Sequence, residues 1–128
     1  MHMIHESRDA RGRILVVDDD PDIRIILDDF LTNQGFVVRT ASDGHTALAL
    51  FSAEVFDALL VDLQMPDMTG LQVAKAVREK NLQIPFALVT GSSHVLSRED
   101  LERLGINRLF AKPFNLNEIV SWLASFSL

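Results

Sequence analysis

The stretch Ala58-Leu59-Leu60-Val61-Asp62 decides the fold, because four apolar residues in a row end in a carboxylate. The earlier run Ile14-Leu15-Val16-Val17 ends the same way, in Asp18, Asp19 and Asp20. Two later runs repeat the pattern with other chemistry: Phe86-Ala87-Leu88-Val89 ends in Thr90, and Leu109-Phe110-Ala111 ends in Lys112-Pro113. Short apolar runs alternating with helical patterns read as strands of a parallel sheet. The carboxyl ends of such strands form the ligand crevice of an open α/β sheet. Carboxylates at two strand ends can therefore converge on one hard cation, with a hydroxyl and an ammonium on the same edge.

Between the strands, apolar residues fall at helical spacing. Asp20-Pro21 opens a first helix as N-cap and first helical residue; Ile23, Ile26, Leu27, Phe30 and Leu31 share its inner face, and Gly35 stops it. Phe36 to Thr40 is the second strand. A second helix is expected from about Asp43 to Ala53 with Ala47, Leu48 and Phe51 inward, and a third from about Gly70 to Glu79 with Val73, Ala74 and Val77 inward. Pro85 marks entry to the fourth strand. Ser97 with Asp100 begins a short fourth helix that Gly105 closes, and Asn115 with Glu118 opens the fifth. Single helices between parallel strands require right-handed crossovers and cover both faces of the sheet.

The 128 residues make one domain, long enough to bury roughly two thirds of the unfolded surface. Residues 1–12 are polar and read as a frayed tail, which leaves 13–127 as the folded domain. The absence of cysteine excludes disulfides, thiolate metal sites and cysteine nucleophiles. A net charge of -6 without a basic stripe argues against a nucleic-acid surface. No apolar run approaches the ~20 residues of a membrane span, and the N-terminal stretch Met1 to Arg8 lacks the apolar core of a signal peptide. A cytoplasmic protein is expected.

The acidic cluster, the lone Asp62, Thr90 and Lys112-Pro113, each at a strand terminus and in this order, resemble the receiver domain of two-component response regulators. Pro66 and Gly70 in Met65-Pro66-Asp67-Met68-Thr69-Gly70 also match the loop that follows the acceptor in that family. The resemblance implies a flavodoxin-like (βα)5 fold, doubly wound around a parallel five-stranded sheet. The strand order 2-1-3-4-5 comes from the resemblance rather than from the residues. It further implies that Asp62 accepts a phosphoryl group from a phosphohistidine on a sensor histidine kinase or histidine phosphotransfer protein. Magnesium would be held by Asp18, Asp19, Asp62 and the backbone carbonyl of Gln64, with manganese able to replace it. Thr90 and Lys112 would hold the phosphoryl oxygens, and the Lys112-Pro113 bond would be cis. Such a domain is not an enzyme toward other molecules, since it catalyses only its own phosphorylation and dephosphorylation.

Elementary chemistry supports this assignment. Three adjacent acids repel one another when desolvated, and a divalent cation offsets that repulsion. Asp20 has a simpler role, since an acid before Pro21 caps the helix. A carboxylate attacks a phosphoryl group once a metal and an ammonium offset its repulsion from the incoming oxyanions. Gly91, beside Thr90, has no side chain to obstruct a donor. Two positions depart from the family pattern. Leu109 stands where an aromatic switch is usual, and Gln64 carries a long side chain two residues after the acceptor. His45 and His94 read as solvated, and His2 and His5 lie in the tail.

Two other functions compete. A haloacid-dehalogenase-type phosphohydrolase also uses an aspartate nucleophile with magnesium, but needs a second acid where this chain has Gln64. A pseudo-receiver would keep the fold as a binding module without phosphorylation. On the surface, Ile25 lies opposite the first helix's apolar stripe and is expected to face a kinase or phosphotransfer partner. On the fifth helix Leu116, Ile119, Val120 and Leu123 form a core stripe, with Trp122 and Phe126 to one side. Those aromatics either fold over the sheet edge or anchor a homodimer or effector surface built from helix 4, strand 5 and helix 5.

Overall fold

A computed structural model describes residues 11–81, 83–91 and 96–126. Its elements alternate strictly: β1 (Arg13–Val17), α1 (Pro21–Asn33), β2 (Val37–Ala41), α2 (Gly44–Ala53), β3 (Ala58–Asp62), α3 (Gly70–Lys80), β4 (Phe86–Thr90), α4 (Arg98–Arg103), β5 (Arg108–Ala111) and α5 (Leu116–Ala124). The strands form one sheet in the order β2-β1-β3-β4-β5, and all four pairings are parallel. This is the flavodoxin-like (βα)5 arrangement that the resemblance implies.

Alternation along the strands divides the core into two layers, because successive side chains point to opposite faces. Leu15, Val17, Leu59, Val61, Phe86 and Leu88 meet α2, α3 and α4 through Ala47, Val73, Val77 and Leu101. Ile14, Val16, Leu60, Ala87 and Val89 meet α1 and α5 through Leu27, Leu31, Ile119 and Leu123. Every residue of β3 and β4 is buried, whereas β5, at the edge, buries Phe110 alone. The reversal of strand order at β1 and β3 opens the crevice where their carboxyl ends diverge.

Helix starts are set by side-chain caps. Asp20, Asp43, Ser97 and Asn115 each accept a backbone N–H of the first turn, and Thr69 with Gln72 closes a reciprocal capping box at α3. Gly35 and Gly105 have φ of 98° and 64°, a left-handed conformation costly for any residue with a Cβ. The Lys112-Pro113 bond is cis.

Four expectations change. Strand β2 begins one residue later than the sequence suggests. Ile26 is 47% exposed rather than inward, because α1 seats itself on Leu27 and Leu31 and turns Ile26 about 100° away. Arg11 and Gly12 are not frayed: Arg11 N donates to Gly35 O and Gly12 O accepts from Val37 N, which ties them beside β2. Trp122 is only 7% exposed, packing edge-on against Phe110 at 6.0 Å and Phe126 at 5.3 Å. Among the described residues β5 is the edge of the sheet, and α5 lays Trp122 against Phe110 there. An aromatic anchor presented to a partner is therefore corrected to a core residue, and Phe126 is half-buried behind it. His2, His5 and His94 lie outside the described residues, as do 92–95 of the loop after Gly91.

Candidate functional site

The pocket forms at the switch point between β1 and β3. Asp18 continues β1 by one residue, its N–H donating to Ala41 O at 3.1 Å. Its carboxylate is buried, with Oδ1 accepting Asp20 N at 2.9 Å and Oδ2 facing Lys112 Nζ at 3.0 Å. Asp20 turns away to cap α1, accepting Asp22 N at 2.9 Å. Asp19 is exposed at the pocket mouth. Asp62 closes β3 and is 6% exposed, with Lys112 Nζ at 3.5 Å. Carboxylate oxygens of Asp18, Asp19 and Asp62 all lie within 4.8 Å of one another.

That donor set fits magnesium. Oxygens on opposite sides of one magnesium ion stand about 4 Å apart, so the three acids are within a small side-chain adjustment of sharing one. Asp20, engaged as a cap, is outside the cluster. Gln64 sits in the loop directly after Asp62, with its backbone N–H donating to the Asp62 carboxylate.

Burial pushes the Asp62 carboxyl up to about 6, and the charge of Asp18 adds to the rise, while the Lys112 ammonium and the Gln64 amide only partly offset it. For Lys112, burial alone would lower the pKa; the hydrogen bond and charge of Asp18, then the charge of Asp62, reverse the sign and raise it. The ammonium is held protonated between two acids. Thr90 ends β4, buried, and its carbonyl accepts Lys112 N at 2.7 Å, which ties the end of β4 to the residue that follows β5. A Cβ added at Gly91 would rest in ordinary van der Waals contact with the Lys112 stem, 3.5 Å from its Cδ.

The loop after the acceptor is fixed at both ends. Gly70 N donates to Leu63 O at 2.8 Å, and a Cβ at Gly70 would lie 2.6 Å from Asp62 O and from Leu88 Cδ2, so only glycine permits α3 to start there. Asp67 reaches across to α2, accepting Gly44 N at 3.0 Å, His45 N at 2.8 Å and His45 Nδ1 at 2.6 Å. These donors, the two backbone amides first, hold the Asp67 carboxyl below the usual carboxylate range. Sequence reading gave His45 no such role and left Asp67 as a loop residue. It also missed Arg24, whose Nη1 donates to Asp18 O at 2.6 Å. Neither contact has a local signal, since each joins residues of separate elements or of a loop and a helix face.

The family model for the response regulator receiver domain matches residues 14–124. The chain belongs to that family. It is 32% identical over 120 residues to the transcriptional regulatory protein TrcR of Mycobacterium tuberculosis, covering 94% of this chain and 47% of TrcR. It is 36% identical over 110 residues to the regulatory protein AtoC of Escherichia coli, covering 86% of this chain and 24% of AtoC. The receiver thus spans less than half the length of these relatives. Among solved structures, the chemotaxis protein CheY4 of Vibrio cholerae superposes with a TM-score of 0.84 at 31% identity, covering 93% of this chain and all of that one. TrrA of Thermotoga maritima, solved in complex with Mg(2+)-BeF, gives 0.78 at 35% identity over 88% of this chain and 96% of TrrA. This receiver is a domain of a two-component response regulator, and its acidic pocket is consistent with magnesium-dependent phosphorylation.

Ile25 is 59% exposed on α1, away from that helix's buried residues, and Leu109, in the place of the family's aromatic switch, is 41% exposed on β5. Among the described residues, no helix is long and apolar enough to cross a membrane.

Proposed function

We propose that Asp62 accepts a phosphoryl group from a phosphohistidine of a sensor histidine kinase or histidine phosphotransfer protein in the cytoplasm. The observation that carries this reading is the buried Asp62 carboxylate at a strand end, facing Lys112 and within reach of the Asp18 and Asp19 carboxylates. With the Asp62 pKa near 6, most of the group is ionised at neutral pH and nucleophilic. An Asp62 carboxylate oxygen forms the new bond to phosphorus as the bond from phosphorus to the donor imidazole nitrogen breaks, and the electron pair stays on that nitrogen. The Lys112 ammonium shifts from Asp62 to a phosphoryl oxygen, and the Thr90 hydroxyl donates to another. Magnesium, or manganese in its place, held by Asp18, Asp19, Asp62 and the Gln64 carbonyl, supplies neutralisation of the phosphoryl charge.

The domain's chemistry is confined to its own acylphosphate. The exposed Gln64 occupies the place of the second acid that a haloacid-dehalogenase-type hydrolase needs. Ile25, exposed on α1 beside the pocket, serves as a docking residue for the donor's helices, and α4, β5 and α5 with exposed Leu109 serve as the homodimer or effector face. Intact mass spectrometry after incubation with acetyl phosphate and magnesium tests the assignment. Wild type should gain one phosphoryl group and Asp62→Asn none; equal gain by both would refute it.

A further inference from the structure

We propose that Arg24 is a positioning residue for the metal pocket, acting through the peptide plane between Asp18 and Asp19. The inference rests on the reading of that pocket as a magnesium site. Arg24 lies one turn into α1, half-buried, and its Nη1 donates to Asp18 O at 2.6 Å. The acceptor is the backbone carbonyl of a pocket residue, and the donor carries a full charge, which makes the bond one of the stronger kind.

The consequence follows from peptide geometry. A peptide unit is planar, so fixing the Asp18 carbonyl also fixes the Asp19 nitrogen and the direction of the Asp19 Cα. Asp18 is otherwise held at every polar group: its N–H by Ala41 O, Oδ1 by Asp20 N and Oδ2 by Lys112. Asp19 is the exposed member of the trio and projects its carboxylate at the mouth. Its side chain is aimed by its backbone, and Arg24 holds the preceding peptide plane. A guanidinium suits this task because it reaches a carbonyl without presenting an acceptor that would compete for the cation. Arg24 and Ile25 also line the same open cleft beside β2, so the clamp stands next to the surface assigned to the phosphoryl donor.

Calorimetric titration of metal-free wild type, Arg24→Gln and Arg24→Lys with magnesium chloride reads the effect directly. Arg24→Gln should weaken magnesium binding about tenfold, the usual size for loss of a residue that orients metal ligands. Arg24→Lys, which keeps the charge and one donor, should recover part of it. Phosphorylation by acetyl phosphate at saturating magnesium should stay within about twofold of wild type, so that the loss lies in the magnesium concentration needed and not in the limiting rate. Without any metal, the amide resonance of Asp19 should shift in Arg24→Gln while that of Asp62 stays in place. Unchanged magnesium affinity in a folded Arg24→Gln protein would overturn the proposal. So would equal loss of affinity and limiting rate together with a lower melting temperature, which marks a general structural role. If Arg24→Gln does not fold, Arg24→Lys decides alone by the same affinity and amide readings. Failure of wild type itself to bind magnesium would sink the metal-site reading instead, and the metal-free amide shift separates the two failures.

Discussion

The two sides of the acceptor strand are held very differently. On the β1 side, Asp18 has a partner at each polar group, Gly70 is fitted against Asp62 O, and Asp67 ties the acceptor loop to α2. On the far side, α4 has six residues and none is buried, while β5 buries a single side chain. Leu101 packs α4 against the core, and Arg78 of α3 holds the turn that follows it, donating to Leu104 O at 2.8 Å and to Gly105 O at 2.8 Å, while a third bond reaches Asn81 O at the end of its own helix at 3.1 Å. Segments with few buried apolar contacts open at the lowest free-energy cost. The molecule therefore pairs a rigid chemical pocket with a loosely seated surface that begins directly after Thr90. A phosphoryl group contacted by Thr90 would move the loose side more easily than the tight one.

The largest expected effect tests whether the loose side still has a core beneath it. Trp122→Ala should cost about 3 to 5 kcal/mol in urea denaturation, the usual penalty for emptying a buried aromatic site, with the sedimentation coefficient of the folded protein unchanged. A cost under about 1 kcal/mol with altered sedimentation would restore Trp122 as an interface residue and erase the contrast.

Arg78→Ala should cost about 1 to 3 kcal/mol, because it strips charged donors from three carbonyls. Hydrogen exchange should accelerate in α4 and leave β1 and β3 unaffected. Uniform acceleration would show that the two sides open as one unit.

The pocket's rigidity has an electrostatic cost in the metal-free protein. Because the Asp62 carboxyl rises from 3.8 to about 6 on folding, the folded state binds the proton more tightly than the unfolded state. Stability in EDTA should therefore fall as pH rises from about 4 to 6, by roughly 1 kcal/mol once screening is allowed for. Asp62→Asn should remove this slope and be the more stable protein at pH 7. A stability that rises over this window in wild type, and rises less in Asp62→Asn, would reverse the sign of the burial argument.

The smallest effect belongs to Leu109→Gln, which should change stability by less than about 0.5 kcal/mol, as exposed substitutions do. A larger loss would mean that Leu109 is covered in solution, and sedimentation would then show by what.

The strand ends were legible in the sequence because they depend on local pattern. Apolar runs closed by Asp18, Asp62, Thr90 and Lys112 mark where strands stop, and the caps at Asp20, Ser97 and Asn115 mark where helices begin, each within a few residues of chain. Parallel winding then brings every strand end to one edge, whereas the strand order that makes particular ends neighbours, and the roles of the residues there, came from the family resemblance. Contacts between separate elements were not legible. Nothing near Asp67 in the sequence points to the amides of Gly44 and His45, and nothing near Arg24 names Asp18 O as its acceptor. Trp122 illustrates the same limit from the other direction. Helical periodicity places it beside the core stripe of α5, but whether that position meets water or Phe110 depends on how far the helix leans over the edge strand β5. The sequence determines which residues share a face, whereas burial at the margin of that face depends on the packing angle between elements, which only the assembled tertiary structure decides.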